Sequence, residues 1–171
     1  MKTFREFIIE CVDIEESSMT RLKSQSDKGG TAVMSASRGN LSAKENRARA
    51  KKLDRTIRSK FGKGATKVIG KYDEKDEKTG ETRRVKERSH VIQQGKMGKR
   101  KFKKAVKSLG RKYGQDSVIT QQKGSKDATL KRTRKGSMSK KNMKLGKMRP
   151  GRSGENETQI KGKTFTYEAR I

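Results

Sequence analysis

No apolar run in this chain exceeds three residues, the length reached at Phe7-Ile8-Ile9. A membrane-spanning helix needs about 20 predominantly apolar residues, so none is expected. A secretory signal, whose apolar region needs at least ~7, is equally excluded. The same scarcity limits the core: Leu, Ile, Val and Phe number 27 among 171 residues, with no Trp, three Tyr and one Pro. With 47 Lys or Arg against 19 Asp or Glu and a formal charge of +28, the bulk composition lies on the disordered side of the boundary. Any folded region must therefore reveal itself by local periodicity.

The charge concerns association rather than fold. A polyanion is the natural counterpart, and non-specific double-stranded DNA is the expected partner, bound through phosphates with a steep salt dependence. Aromatics are rarely interleaved with the cations, which argues against base stacking on single strands. A single Cys and a single His exclude an internal disulfide and an ordinary zinc site, so neither metal nor cofactor is expected.

Local patterns divide the chain. Residues 1–16 are acidic, and Phe4, Phe7 and Ile8 fall at helical spacing behind a Thr3/Glu6 capping box. Residues 11–30 read as a linker. Between 31 and 122 the order is strand (31–36), helix (43–60), strand (66–72), strand (85–93), helix (99–112), strand (116–121). The first helix opens on Ser42/Glu45, turns Ala50, Leu53, Ile57 and Phe61 inward and ends at Gly62. This order predicts an α/β (α+β) domain, a small sheet with two helices packed on one face. The N-terminal amphipathic helix would precede it. Residues 123–160, rich in Lys, Arg, Gly and Ser, read as a flexible basic arm, and 161–171 as a possible edge strand. The expected nucleic-acid contacts are Arg47, Lys51, Arg55 and Arg58 on the first helix, then Lys131, Arg132, Arg134, Lys135, Lys140 and Lys141 on the arm.

The opening Met1-Lys2-Thr3-Phe4-Arg5-Glu6-Phe7-Ile8-Ile9-Glu10 resembles the capsid-targeting peptide of internal head proteins of T-even-type tailed phages. The resemblance implies a phage internal head protein, docked in the prohead core by Phe4, Phe7 and Ile8. A prohead protease would cut at Ile8-Ile9-Glu10, between Glu10 and Cys11. It further implies prohead core or scaffold proteins and that protease as partners, no membrane association, and residence in the virion interior. Before assembly, and after any ejection, the protein would lie in the host cytoplasm. The middle region resembles an uncharacterised small bacterial and phage α/β domain through Ser35-Ala36-Ser37-Arg38-Gly39, Glu45-Asn46, Glu87-Arg88-Ser89 and Tyr113-Gly114-Gln115-Asp116-Ser117-Val118.

Catalysis is not expected. Glu45, Asn46, Glu87, Ser89, His90, Gln115 and Asp116 would gather at strand ends, where α/β folds place sites. Ser89 and His90, adjacent in one strand, point to opposite faces and form no dyad. A buried hydrogen-bonding role suits Glu87 and Gln115 better. No P-loop occurs: Gly95 to Lys99 lacks the Gly-Lys-Ser/Thr ending. The rival readings are an ejected, host-directed effector or inhibitor and an RNA-binding, ribosome-associated protein, with a nuclease last.

Overall fold

The computed structural model of the protein describes residues 19–75, 79–133, 142–152 and 156–168. Residues 19–29 form helix α1, which precedes β1 (Thr31–Ser35), α2 (Ala43–Phe61), β2 (Thr66–Lys75) and β3 (Thr82–Gln93). Helix α3 (Lys99–Lys112), β4 (Ser117–Gln121) and β5 (Asp127–Arg132) follow, then β6 (Met143–Pro150), β7 (Asn156–Ile160) and β8 (Lys163–Glu168).

Helix α2 forms for the local reasons its sequence announces. The Ser42 hydroxyl accepts from the Glu45 amide at 3.3 Å, and Glu45 Oε2 accepts from the Ser42 amide at 2.8 Å. Gly62 ends it in the left-handed region (φ 70), its N–H donating to the Arg58 carbonyl, a conformation that costs glycine little. Ala50, Leu53 and Ile57 are buried, as are Phe102, Val106 and Leu109 on α3. These stripes cover the outward side chains of β1, Ala32 and Met34, together with Ile92, Tyr113 and Val118. Phe61 and Phe102 join the helices edge to face, with ring centroids 5.6 Å apart.

The other side chains of β1 face inward. Val33 packs with Val68, Val91, Met148, Ile160 and Phe165, and Met19 and Leu22 of α1 complete that cluster. Polar contacts fix α1 there: Gln93 Nε2 donates to Gln25 Oε1 at 2.7 Å, and Gln121 Nε2 to Asp27 Oδ1 at 3.0 Å. With one side against α1 and the other against α2 and α3, every residue of β1 is buried.

The sheet is a closed antiparallel barrel in the order β1-β3-β2-β7-β8-β6-β5-β4, with β4 returning to β1. This overturns the expected small sheet with helices on one face and a flexible basic arm. Three of the eight strands, β5, β6 and β7, come from the region read as an arm. Strand β8 pairs on both sides, with β6 and β7. Asp127–Arg132 buries one side chain fully and Asn156–Ile160 carries a single apolar residue, so periodicity does not betray them. Closure orders them, because it gives the backbone donors and acceptors of each strand partners on both edges. Residues 19–29, within the segment read as a linker, are helical because the barrel's inner face supplies the apolar contacts. Among the described residues no helix is long and apolar enough to cross a membrane.

Candidate active site

Strand β1 ends at Ser35 and the chain turns away, leaving a crevice beside β3. The turn at 37–41 is held from three directions. Asn46 on α2 accepts from the Arg38 amide at 2.9 Å and donates to the Arg38 and Leu41 carbonyls at 3.0 and 3.2 Å. Gln115 Nε2 donates to the Ser37 carbonyl at 3.0 Å. Arg49 donates to the carbonyls of Ala36 at 2.7 Å and Tyr113 at 2.6 Å. Asn46 and Gln115 therefore build the wall of the site, and Glu45 is committed to the helix cap, its carboxyl pKa lowered chiefly by the Ser42 hydroxyl.

A cavity of two lobes opens along this wall. The first, about 400 Å³, lies between α2 and the β2–β3 pair, with Ala50 and Ile69 as apolar walls and Asp54 and His90 as polar ones. The second, about 580 Å³, lies beyond the end of β1 and is lined by Arg38, Tyr72, Arg83, Arg84 and Glu87. Arg47 and Arg88 line both, so the lobes adjoin.

The two lobes differ in chemistry. In the second, Glu87 is the one carboxylate among the described lining residues, which include five arginines. The Tyr72 hydroxyl donates to Glu87 Oε1 at 3.0 Å, and the antiparallel register, which pairs Gly70 with Glu87 and Tyr72 with Val85, puts the two side chains on one face. Close by, Arg84 pairs with Asp73 at 2.9 Å and reaches buried Glu157 at 3.5 Å, and Lys71 reaches Glu157 at 3.3 Å. In the first lobe, His90 is 3% exposed and its Nδ1 makes no hydrogen bond. Burial lowers the imidazole pKa, nearby Asp54 opposes that, and Lys67 adds to it. Asp54 Oδ2 faces Arg58 at 3.4 Å and Lys67 at 3.9 Å, but its buried Oδ1 is also unpartnered. Unsatisfied buried polar atoms are uncommon and call for a reason.

The structure thus separates the residues that the sequence suggested. Glu87, Ser89 and His90 line the cavity; Ser89 Oγ lies against Gly70, 3.3 Å from where a Cβ there would sit. Of the expected nucleic-acid contacts, Arg47, Lys51 and Arg55 line the cavity, and Arg58 pairs with Asp54. Lys131 and Arg132 stand on β5, away from it, where burial and then Lys103 and Lys107 lower the Lys131 pKa. Arg134, Lys135, Lys140 and Lys141 lie outside the described residues, as do Phe4, Phe7, Ile8, Glu10 and Cys11. Sequence reading missed Tyr72 and Asp54. The second left a signal: a carboxylate next to Leu53 and between Ala50 and Ile57 stands beside an apolar stripe. Among the described residues no group of three or more His, Cys, Asp or Glu gathers to hold a metal.

The model of the S-adenosylmethionine lyase family matches residues 32–170. No curated protein matches the sequence. The family match corrects the reading as an internal head protein, together with its DNA-binding role and the expectation of no enzymatic activity. It equally leaves the effector and RNA-binding readings without support. The opening decapeptide that carried the phage resemblance lies outside the matched segment. Net charge, the other support for that reading, bears on association and not on chemistry.

Proposed function

The chain belongs to the S-adenosylmethionine lyase family, and from that membership we propose that it breaks a carbon–sulfur bond of S-adenosylmethionine in the two-lobed cavity. The observation that carries this reading is Glu87, a carboxylate held by Tyr72 in a lobe that five arginines also line.

S-adenosylmethionine brings three charges: an α-ammonium, an α-carboxylate and a sulfonium. In a lyase reaction without water, the Cγ–S electron pair moves to sulfur and 5′-methylthioadenosine leaves as a neutral thioether. The substrate's own carboxylate oxygen closes onto Cγ, giving a five-membered lactone that keeps its ammonium. Atoms and charge balance, and no proton changes hands.

This chemistry suits the lobe for two reasons. An interaction accelerates the step only if it is stronger in the transition state than before it. A carboxylate beside the sulfonium fails that condition, because the positive charge fades as the bond breaks. Glu87 is better matched to the ammonium, whose charge persists, and holding it orients the carboxylate toward Cγ. The arginines of the lobe act in the opposite sense. They repel the sulfonium, and that repulsion is relieved as its charge disappears.

The test is incubation of the protein with S-adenosylmethionine, following 5′-methylthioadenosine by chromatography and the amino-acid fragment by mass spectrometry. Release of methylthioadenosine with a lactone, or the hydroxy acid formed by its hydrolysis, is expected. Unchanged substrate after prolonged incubation with folded protein removes the proposal.

A further inference from the structure

We propose that the open edge of β3 at Lys86 is the amino-acid subsite of the second lobe, its N–H receiving the α-carboxylate of S-adenosylmethionine and its carbonyl the α-ammonium. This rests on the S-adenosylmethionine reading and assigns the methionine head to backbone groups. Strand β3 runs from Thr82 to Gln93, but β1 accompanies it only from Gln93 to Ser89. From there to Thr82, β2 alone among the described strands pairs with it. Residues 83–88 therefore have a strand neighbour on one edge only, and they line the lobe together with the turn that leaves β1.

Alternation along the strand decides which groups face the open edge. The Gln94 N–H donates to the Gly30 carbonyl at 3.0 Å, so even-numbered residues of β3 turn their backbone groups toward β1 and odd-numbered ones toward β2. The Arg88 carbonyl accordingly meets the last residue of β1, accepting from the Ser35 hydroxyl at 3.0 Å. Lys86 presents its N–H and C=O to the same side, beyond the end of β1. The turn at 37–41 spends its own groups elsewhere: the Ser37 carbonyl accepts from Gln115, and the Arg38 amide and the Arg38 and Leu41 carbonyls bond Asn46. An α-amino acid offers what a neighbouring strand residue would, a nitrogen donor and a carboxyl acceptor on one Cα, and its charges strengthen both bonds. The five arginines lining the lobe favour entry of the carboxylate end. Glu87, the next residue, lines the same lobe and can take a further N–H of the ammonium. One carboxylate oxygen on Lys86 leaves the other to close onto Cγ.

The experiment is amide hydrogen exchange by NMR on the full chain, with lyase turnover measured in parallel. The probes are S-adenosylhomocysteine, which keeps the amino-acid head without the sulfonium, and 5′-methylthioadenosine, which lacks that head. The Lys86 amide should exchange fast in the free chain, at least about ten-fold more slowly with S-adenosylhomocysteine, and no more slowly with methylthioadenosine. Lys86→Pro removes the N–H while leaving the β2 ladder its bonds. It should weaken calorimetric binding of S-adenosylhomocysteine about ten-fold more than Lys86→Ala, which keeps the N–H, with circular dichroism confirming the fold. Unchanged exchange at Lys86 under millimolar S-adenosylhomocysteine overturns the proposal, as do equal slowing by both probes and equal binding to the two folded variants. Turnover together with unchanged exchange overturns the subsite and leaves the lyase reading standing. Slowed exchange specific to S-adenosylhomocysteine with no turnover supports the subsite and counts against the lyase reading.

Discussion

Arg49 and Tyr113 meet twice: the guanidinium donates to the Tyr113 carbonyl at 2.6 Å and lies 5.7 Å from the centroid of the Tyr113 ring. The same guanidinium donates to the Ala36 carbonyl, so one side chain ties α2 to the end of α3 and to the chain leaving β1. Replacing it by Met leaves two carbonyls without their charged donor, and a loss of about 2–3 kcal/mol is expected by urea denaturation. Lys should restore little, because an ammonium lacks the planar fork that spans both acceptors.

The Tyr72–Glu87 pair separates binding of the reactant from stability. Glu87→Gln should lower kcat/KM for S-adenosylmethionine by about 100-fold, as expected from losing a charged hydrogen-bonding partner in a partly enclosed site. Tyr72→Phe keeps the carboxylate and loses only its positioning donor, so a smaller loss, about ten-fold, is expected. Steady-state kinetics on both variants, with melting curves to verify folding, decides the order; a Tyr72→Phe effect larger than that of Glu87→Gln contradicts it.

Gly110 marks where α3 meets the segment after β5. A Cβ there would sit 2.5 Å from Thr133 Cγ2 and 3.0 Å from Val118 Cγ1. Thr133 cannot easily retreat, because its hydroxyl donates to the carbonyls of Gln115 and Asp116. Gly110→Ala should therefore destabilise the protein by about 1–3 kcal/mol through overpacking. Adding Thr133→Ser removes the offending methyl and keeps the hydroxyl. The double variant should recover part of the loss, a coupling that a double-mutant cycle measures.

Burial makes stability depend on pH through His90. Its unfolded value is near 6.5 and the folded one is lower, because desolvation by burial disfavours the charged ring. Above 6.5 both states are neutral and the contribution is constant. As pH falls below that value the unfolded chain takes up the proton first, so stability declines until the folded value is passed. Urea midpoints between about pH 7.5 and 5 should show this decline, and His90→Gln should flatten it.

Ile57 is fully buried beneath α2. Truncation to Ala should cost about 2–5 kcal/mol, the range for opening a cavity in an aliphatic core. Arg55→Ala, two residues away and exposed, should change stability by less than about 0.5 kcal/mol. Chemical denaturation of the two variants makes the comparison.

The sequence by itself determined the elements whose causes are local. Ser42 with Glu45 fixes the start of α2 and Gly62 its end, Ala50, Leu53 and Ile57 choose its inward face, and Phe102, Val106 and Leu109 do the same for α3. It named Glu87 and His90 only among seven polar residues near strand ends, with a buried hydrogen-bonding role for Glu87 and no catalysis expected. The tertiary structure alone decided the barrel. Segments such as Asp127–Arg132 and Asn156–Ile160 have little apolar alternation to announce a strand, and they are ordered because neighbours on both edges complete their backbone hydrogen bonds. It likewise decided the site. Tyr72 reaches Glu87 only through the register of β2 on β3, and Asp54 comes near enough to act on the His90 charge only because α2 lies across that pair. Contacts between residues distant in sequence follow from how strands are paired and helices docked, and no local pattern encodes them.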